Sequence, residues 1–277
     1  MIKVEAIYRY PIKSCAGISL DEAQISHRGI LLDRLLMVVD ERGIFVTQRN
    51  GNTYGNIGIR SMCLIAPKVQ MKHPYILVAA PDMTDLLLDP FQGDTPISAR
   101  IWGDIVEAVE VNRYVSEWFT TYLSRERPGR YRLVRMRAGY RRKVSRGEAV
   151  TGFADAYPFL VASFESLSEL NQRMGGLPVG MDRFRPNIVI SGCDRPHAED
   201  SMNRIRIGGV EFVGRDLCDR CPVPGIDQMT GKKDGRPLTT LARYRKTRPE
   251  SDKVQFGRNF IHCGNGHIRV GDEVAVL

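Results

Sequence analysis

Two cysteines three positions apart, Cys218 and Cys221 in LCDRCPVPG, have the most direct chemical potential in this chain of 277 residues. Such a pair suits three roles: half of a zinc site, a redox dithiol, or a single thiolate offered to a softer metal. A structural zinc ion needs four ligands, and the sequence holds no second Cys-x-x-Cys pair. His262, Cys263 and His267 follow downstream, but His262 and Cys263 are adjacent in a strand-like run and would point to opposite faces. A redox dithiol belongs at the start of a helix, where the helix dipole lowers a thiol's pKa, whereas the prolines and glycine after Cys221 dictate a loop. The third role asks for one loop thiolate near a cation such as Arg220. The pair by itself leaves zinc and the single metal-bound thiolate both open.

The elements that must position these residues are mostly strands. MIKVEAIYRY alternates at period two, and LLMVVDERGIFVTQR reads as two β-branched runs around the turn Asp40 to Gly43. Val115, Trp118, Phe119, Tyr122 and Leu123 recur at helical spacing, and SRERPG ends that helix. A second helix is expected over SFESLSELNQRM, with Ser163 as N-cap, Glu165 in the first turn and Gly175-Gly176 as the stop. NIVISG then reads as a strand, RIRIGGVEFVG as a hairpin turning at Gly208-Gly209, and HIRVGDEVAVL as a hairpin turning at Gly271-Asp272. Regular strand-helix alternation is missing, which disfavours a Rossmann sheet. The class expected is α+β, rich in β, with a few helices.

Hydrophobic residues make up 43% and charged residues 26%, the balance of an ordinary globular protein, and no run reaches the roughly 18 apolar residues that span a bilayer. The N-terminus lacks an apolar signal core, so a cytoplasmic protein is expected, with no membrane partner. Six scattered cysteines argue for reduced thiols rather than a disulfide framework. A net charge of +8 favours an anionic partner. Arginines crowd Ser124 to Arg146, but no nucleic-acid-binding motif accompanies them, so this stretch reads as a solvated basic face with the RRK of Arg141 to Lys143 in a loop. No nucleic-acid partner is expected.

Nine segments in order, YPIKSCAG, LDRLLMVVDERGIFVTQR, DAYPFLVAS, FRPNIVISGCDRPHAED, IRIGGVEFVGRDLCDRC, GIDQMTG, PLTTLARYR, FGRNF and IRVGDEVAVL, resemble proteins with a molybdenum cofactor sulfurase C-terminal (MOSC) domain behind its N-terminal β-barrel partner. The resemblance covers nearly the whole chain and is strongest to the mitochondrial amidoxime-reducing components and their bacterial relatives. It implies an N-terminal β-barrel-like domain over residues 1–123 and a C-terminal MOSC β-barrel domain over 124–277. It further implies a molybdenum cofactor (Mo-molybdopterin) with Cys221 as the metal's thiolate ligand and the catalytic centre. Lys13, Ser14 and Arg34 match the family's phosphate-binding positions, residues that taken singly read as ordinary surface positions. Arg185 and Asn187 match the pterin-contacting pair, the Asn offering both donor and acceptor. Asp219 and Asn259 fall at further contact positions, and Asp155 orders the pocket or caps a turn. Cys218 is left to pack, and Pro224-Gly225 stands where relatives carry threonines.

The activity so implied is reduction of a small N-hydroxylated substrate, its oxygen leaving as water. Against it stand a cofactor or sulfur carrier on the same fold and, from another class, a zinc- or nucleic-acid-binding module. The sequence has neither a G-x-G-x-x-G fingerprint nor iron-sulfur cysteine spacing, so electrons are expected from a separate ferredoxin-type or cytochrome-type protein with its reductase.

Overall fold

Strands that alternate apolar residues to two sides organise the protein, as seen in a computed structural model that describes residues 1–49, 54–70, 74–144 and 146–277. Leu36 and Val38 face one core while Met37 and Val39 face another, the period-two outcome for a strand buried on both sides. This strand, Leu36–Asp40, closes a four-stranded antiparallel sheet with Tyr131–Met136, Asp104–Glu110 and Pro96–Ile101. Helix α1 (Arg113–Leu123) lays Val115, Trp118, Phe119, Tyr122 and Leu123 into the first core, and Asn112 caps it by accepting from the Tyr114 amide.

The second body of structure is an eight-stranded sheet. Its order is Ile18–Leu20, Lys3–Arg9, Ile188–Ser191, Phe159–Ser163, Val254–Cys263, Val210–Arg220, Arg204–Ile207, Val274–Val276. The first two strands of the chain therefore join a sheet whose other members lie beyond residue 158. Phe159 and Val161 point to one core with Phe212 and Phe260, and Ala162 points to the other with Phe184 and Phe256. Helix α2 (Phe164–Met174) links two parallel strands of this sheet; Ser163 caps it, and Gly175 ends it at φ 65°. With α3 (Arg236–Leu241), it covers the second face. The architecture is β-rich α+β.

Two local expectations are corrected by pairing over long sequence distances. HIRVGDEVAVL is not a hairpin: Gly266–Arg269 pairs with Glu22–Ser26, while Val274–Val276 pairs with Arg204–Ile207. The turn at Gly271 instead carries the chain from one sheet to another. The hairpin after Asp40 starts, with Val39 bridging antiparallel to Phe45, but it goes no further, because Val46–Thr47 pairs in parallel with Ile57–Gly58.

Candidate functional site

All nine residues singled out in the sequence line one cavity of 350 Å³. They reach it from widely separated elements. Lys13 and Ser14 occupy the turn after Lys3–Arg9, Arg34 the turn before Leu36–Asp40, and Asp155 the loop before Phe159–Ser163. Arg185 and Asn187 precede Ile188–Ser191, Asn259 lies within Val254–Cys263, and Asp219 and Cys221 sit at and just past the end of Val210–Arg220.

Asp216 to Cys221 all line the cavity consecutively, which a regular strand with alternating faces does not permit. The explanation is in the register. Pairing with Val254–Cys263 slips between Gly214 and Leu217 and again between Leu217 and Asp219, so the strand bulges and turns both sets of side chains inward. Backbone strain also gathers here: Ser14, Arg34 and Arg185 adopt left-handed φ of 68°, 44° and 54°, a region that costs a non-glycine residue of order 1–3 kcal/mol. Gly152 is obligatory beside them, because a Cβ there would lie 2.7 Å from the Arg34 carbonyl oxygen.

The cavity is cationic on balance, with Lys13, Arg34, Arg49, Arg185 and Arg220 facing Asp155, Asp216 and Asp219. Lys13 and Arg34 are not the surface positions expected. Lys13 is only 5% exposed; its Nζ donates to the Phe153 carbonyl at 2.9 Å and to the Asp155 carboxylate. Arg34 Nη1 pairs with buried Asp33 at 2.6 Å, and Nη2 donates to the Arg185 carbonyl at 3.2 Å. The Arg34 and Arg185 guanidiniums lie 4.2 and 4.3 Å from the Tyr10 ring centroid, and that shared π-system offsets their mutual repulsion. Asp155 accepts from Lys13, from Arg49 Nη2 at 3.4 Å and from Trp102 Nε1 at 3.3 Å. Burial works against its charge, yet Lys13 and Arg49 hold the carboxyl well below the usual range.

The remaining residues divide between wall and mouth. The Asn187 amide is engaged with the backbone, accepting from Leu160 N and donating to the Tyr8 carbonyl, each at 3.3 Å. Asn259 donates to the Asp216 carbonyl at 3.0 Å. Asp219 accepts from Gln255 at 3.2 Å and lies 3.4 Å from Lys253 Nζ. Ser14 Oγ donates to Thr47 Oγ1 at 3.2 Å. Cys218 Sγ accepts from Arg220 Nη1 at 3.0 Å, and burial nevertheless raises its pKa. Among the described residues, no group of three or more His, Cys, Asp and Glu ligand atoms gathers at the cysteine pair.

Some contributors escaped the sequence reading. Arg49 and Gln48 line the cavity, and their signal was present in the quoted VTQR. Arg142 gave none. Read as part of a solvated face, it is buried, pairs with Asp104 at 2.8 Å and donates to the carbonyls of Gly152, Ala154 and Asp155, thereby fixing the loop that carries Asp155.

A pH dependence follows from Lys13, whose pKa burial pushes down to about 8 despite Asp155. The cavity's lysine is charged below that pH and neutral above it. A phosphate monoester completes its second ionisation near pH 6, so anion affinity is expected to fall as pH rises past 8, by up to about tenfold per unit. Calorimetric titration with a small phosphate monoester such as phenyl phosphate between pH 7 and pH 10 checks this; an affinity flat across that range refutes it.

Comparison with known proteins places the chain. The MOSC N-terminal beta barrel domain model matches residues 1–126 and the MOSC domain model residues 148–275. Mitochondrial amidoxime-reducing component 1 of Mus musculus is 33% identical over 99% of this chain and 82% of its own length, and that of Homo sapiens is 32% identical over the same shares. The molybdenum cofactor sulfurase of Solanum lycopersicum is 29% identical over 96% of this chain but 34% of its own length. By these matches, the chain belongs to the MOSC family, with a MOSC N-terminal beta barrel domain ahead of its MOSC domain.

Proposed function

We propose that this protein is a molybdenum-cofactor-dependent reductase that takes the oxygen from small N-hydroxylated compounds as water. The observation that carries the reading is one cationic cavity with a thiol, Cys221, on its wall. Its residues fit the cofactor. Arg49 Nε and Arg220 Nε are buried without hydrogen-bond partners, as donors awaiting an anion would be, and the other cavity cations supply charge for a phosphate. A cysteine thiolate suits a metal already held by soft sulfur ligands. Relatives named as amidoxime-reducing components give the substrate class.

In this reading Lys13, Ser14, Arg34 and Arg49 hold the phosphate, Arg185, Asn187, Asp155, Asp219 and Asn259 orient the pterin, and Cys221 ligates the metal. When bound, the cofactor supplies two-electron oxygen-removal chemistry; the protein supplies position and electrostatics. Reduction of one N–OH group to N–H consumes two electrons and two protons and releases one water. The electrons come from a separate protein of ferredoxin or cytochrome type, which the net charge of +8 would steer if that donor is acidic.

A second reading, a cofactor carrier, draws on the match to molybdenum cofactor sulfurase. Turnover separates the two. Protein loaded with the cofactor is expected to reduce benzamidoxime with reduced viologen, to show no turnover with NADH or NADPH alone, and to recover it when a donor protein and its reductase are added. Raising salt should slow the donor-driven rate more than the viologen rate. Cofactor binding without viologen turnover would favour the carrier, and NADH-driven turnover without a partner would refute the separate donor.

A further inference from the structure

The segment CDRPHAED, part of one quoted motif, has no place in the cavity. It ends in a single 3-10 turn, Ala198–Ser201, that tucks beneath the N-terminus of α2. Glu199 is fully buried there, its carboxylate accepting from Ser163 N at 3.2 Å and Ser166 Oγ at 2.8 Å. One ring nitrogen of His197 and one carboxylate oxygen from each of Glu199 and Asp200 lie within 4.8 Å of one another.

Three further observations point to a ligand. His197 Nε2 lies 3.0 Å from the Glu169 carboxylate, which fixes the tautomer and leaves Nδ1 as the basic nitrogen. This is the carboxylate–histidine arrangement that orients metal-binding imidazoles. The His197 side chain is 10% exposed, yet its Nδ1 is buried with no hydrogen-bond partner. Asp200 repeats the pattern: Oδ2 takes Arg245 Nη2 at 2.5 Å, while Oδ1 is buried and unpartnered. A third unpartnered polar atom, Tyr244 Oη, belongs to a ring whose centroid is 5.9 Å from that of His197. The His197 backbone is held at φ 59°, a strained conformation for this residue. Orphaned buried polar atoms are rare, because each loses its hydration without compensation. Two in one turn, His197 Nδ1 and Asp200 Oδ1, with histidine and carboxylate chemistry call for a cation.

We infer that His197, Glu199 and Asp200 form a divalent-cation site of the zinc type, separate from the cavity and from Cys218 and Cys221. Nitrogen and carboxylate oxygen are the donors zinc accepts, and three protein ligands leave a fourth position for water. A cation there holds the turn at Ala198–Ser201 in shape, and through the bonds of Glu199 to Ser163 and Ser166 it supports the start of α2.

Cobalt, a spectroscopic stand-in for zinc, tests this. Chelator-treated, full-length protein is titrated with Co²⁺ while its visible ligand-field absorption is recorded, and the thermal midpoint is followed with Zn²⁺. Saturable binding near one equivalent is expected, with a higher midpoint in zinc. The signal should persist in the double variant Cys218→Ser/Cys221→Ser. It should weaken by more than about a hundredfold in His197→Gln and by about 10–100-fold in Glu169→Gln, which keeps every ligand and so reports even if His197→Gln fails to fold. Absence of saturable binding, a signal lost with the cysteines, or one unchanged by Glu169→Gln in a folded protein would each overturn the site.

Discussion

Replacing Cys221 with Ala is expected to abolish molybdenum retention and reductase activity, while replacing Cys218 leaves both largely intact. Both cysteines line the cavity and are partly exposed, but the proposed reading assigns the metal to Cys221, on the loop just past the strand end, because the Cys218 thiol is already engaged by Arg220 Nη1. Loss of an outer-shell partner already costs metal affinity about 10–100-fold, so loss of a direct ligand should exceed that range. Cys218 accepts a hydrogen bond from Arg220, but that guanidinium keeps its bond to the Phe184 carbonyl at 2.7 Å when the thiol is removed. Metal analysis of both variants beside viologen-driven benzamidoxime reduction reads the difference. Equal losses in the two would instead indicate a shared role for the pair and would sink the assignment of Cys221.

The variant Lys13→Met/Arg34→Gln should bind the pterin phosphate on the order of a hundredfold or more weakly, since a hydrogen bond to a charged group is worth about 1.5–3 kcal/mol and about 1.4 kcal/mol is tenfold. Unlike a change at two surface positions, this one also carries a stability cost. Removing the Arg34 charge leaves Asp33, 7% exposed, with only the Tyr10 amide as hydrogen-bond partner, whereas the largely exposed Asp155 keeps Arg49 and Trp102 and adds little to the cost. Stranding a buried polar group costs about 1–3 kcal/mol, so the thermal midpoint should fall as well. Released-pterin fluorescence at limiting cofactor, measured well below that midpoint, isolates the binding effect. Occupancy equal to that of the unaltered protein would show that the phosphate lies elsewhere.

Helix signals and one of the turn signals were legible from local sequence. The i, i+3, i+4 spacing of Val115, Trp118 and Phe119, the hydroxyl of Ser163 before SFESLSEL and the paired glycines at 208 and 209 each act through neighbours a few residues away, and each produced the element expected. The chemical types of the cavity residues were legible too, and the nine named from the sequence converge on one cavity.

What the amino-acid sequence determined alone was therefore the inventory: alternating strands, two short helices' worth of amphipathic pattern, a cationic surplus, and a lone Cys-x-x-Cys pair followed by a proline-containing loop. Only the tertiary structure decided how these meet. Whether Gly266–Arg269 pairs with its neighbour or with Glu22–Ser26 depends on which strand edge the tertiary fold brings beside it, and no local pattern encodes that. Arg142 looks like any arginine of a basic run until Asp104 and three carbonyls surround it. The bulges between Gly214 and Asp219 arise from fitting Val210–Arg220 against Val254–Cys263, and they turn six consecutive residues toward one cavity. Burial, pairing and register are relations between residues far apart in the chain, so the free energies they set exist only once the chain has folded.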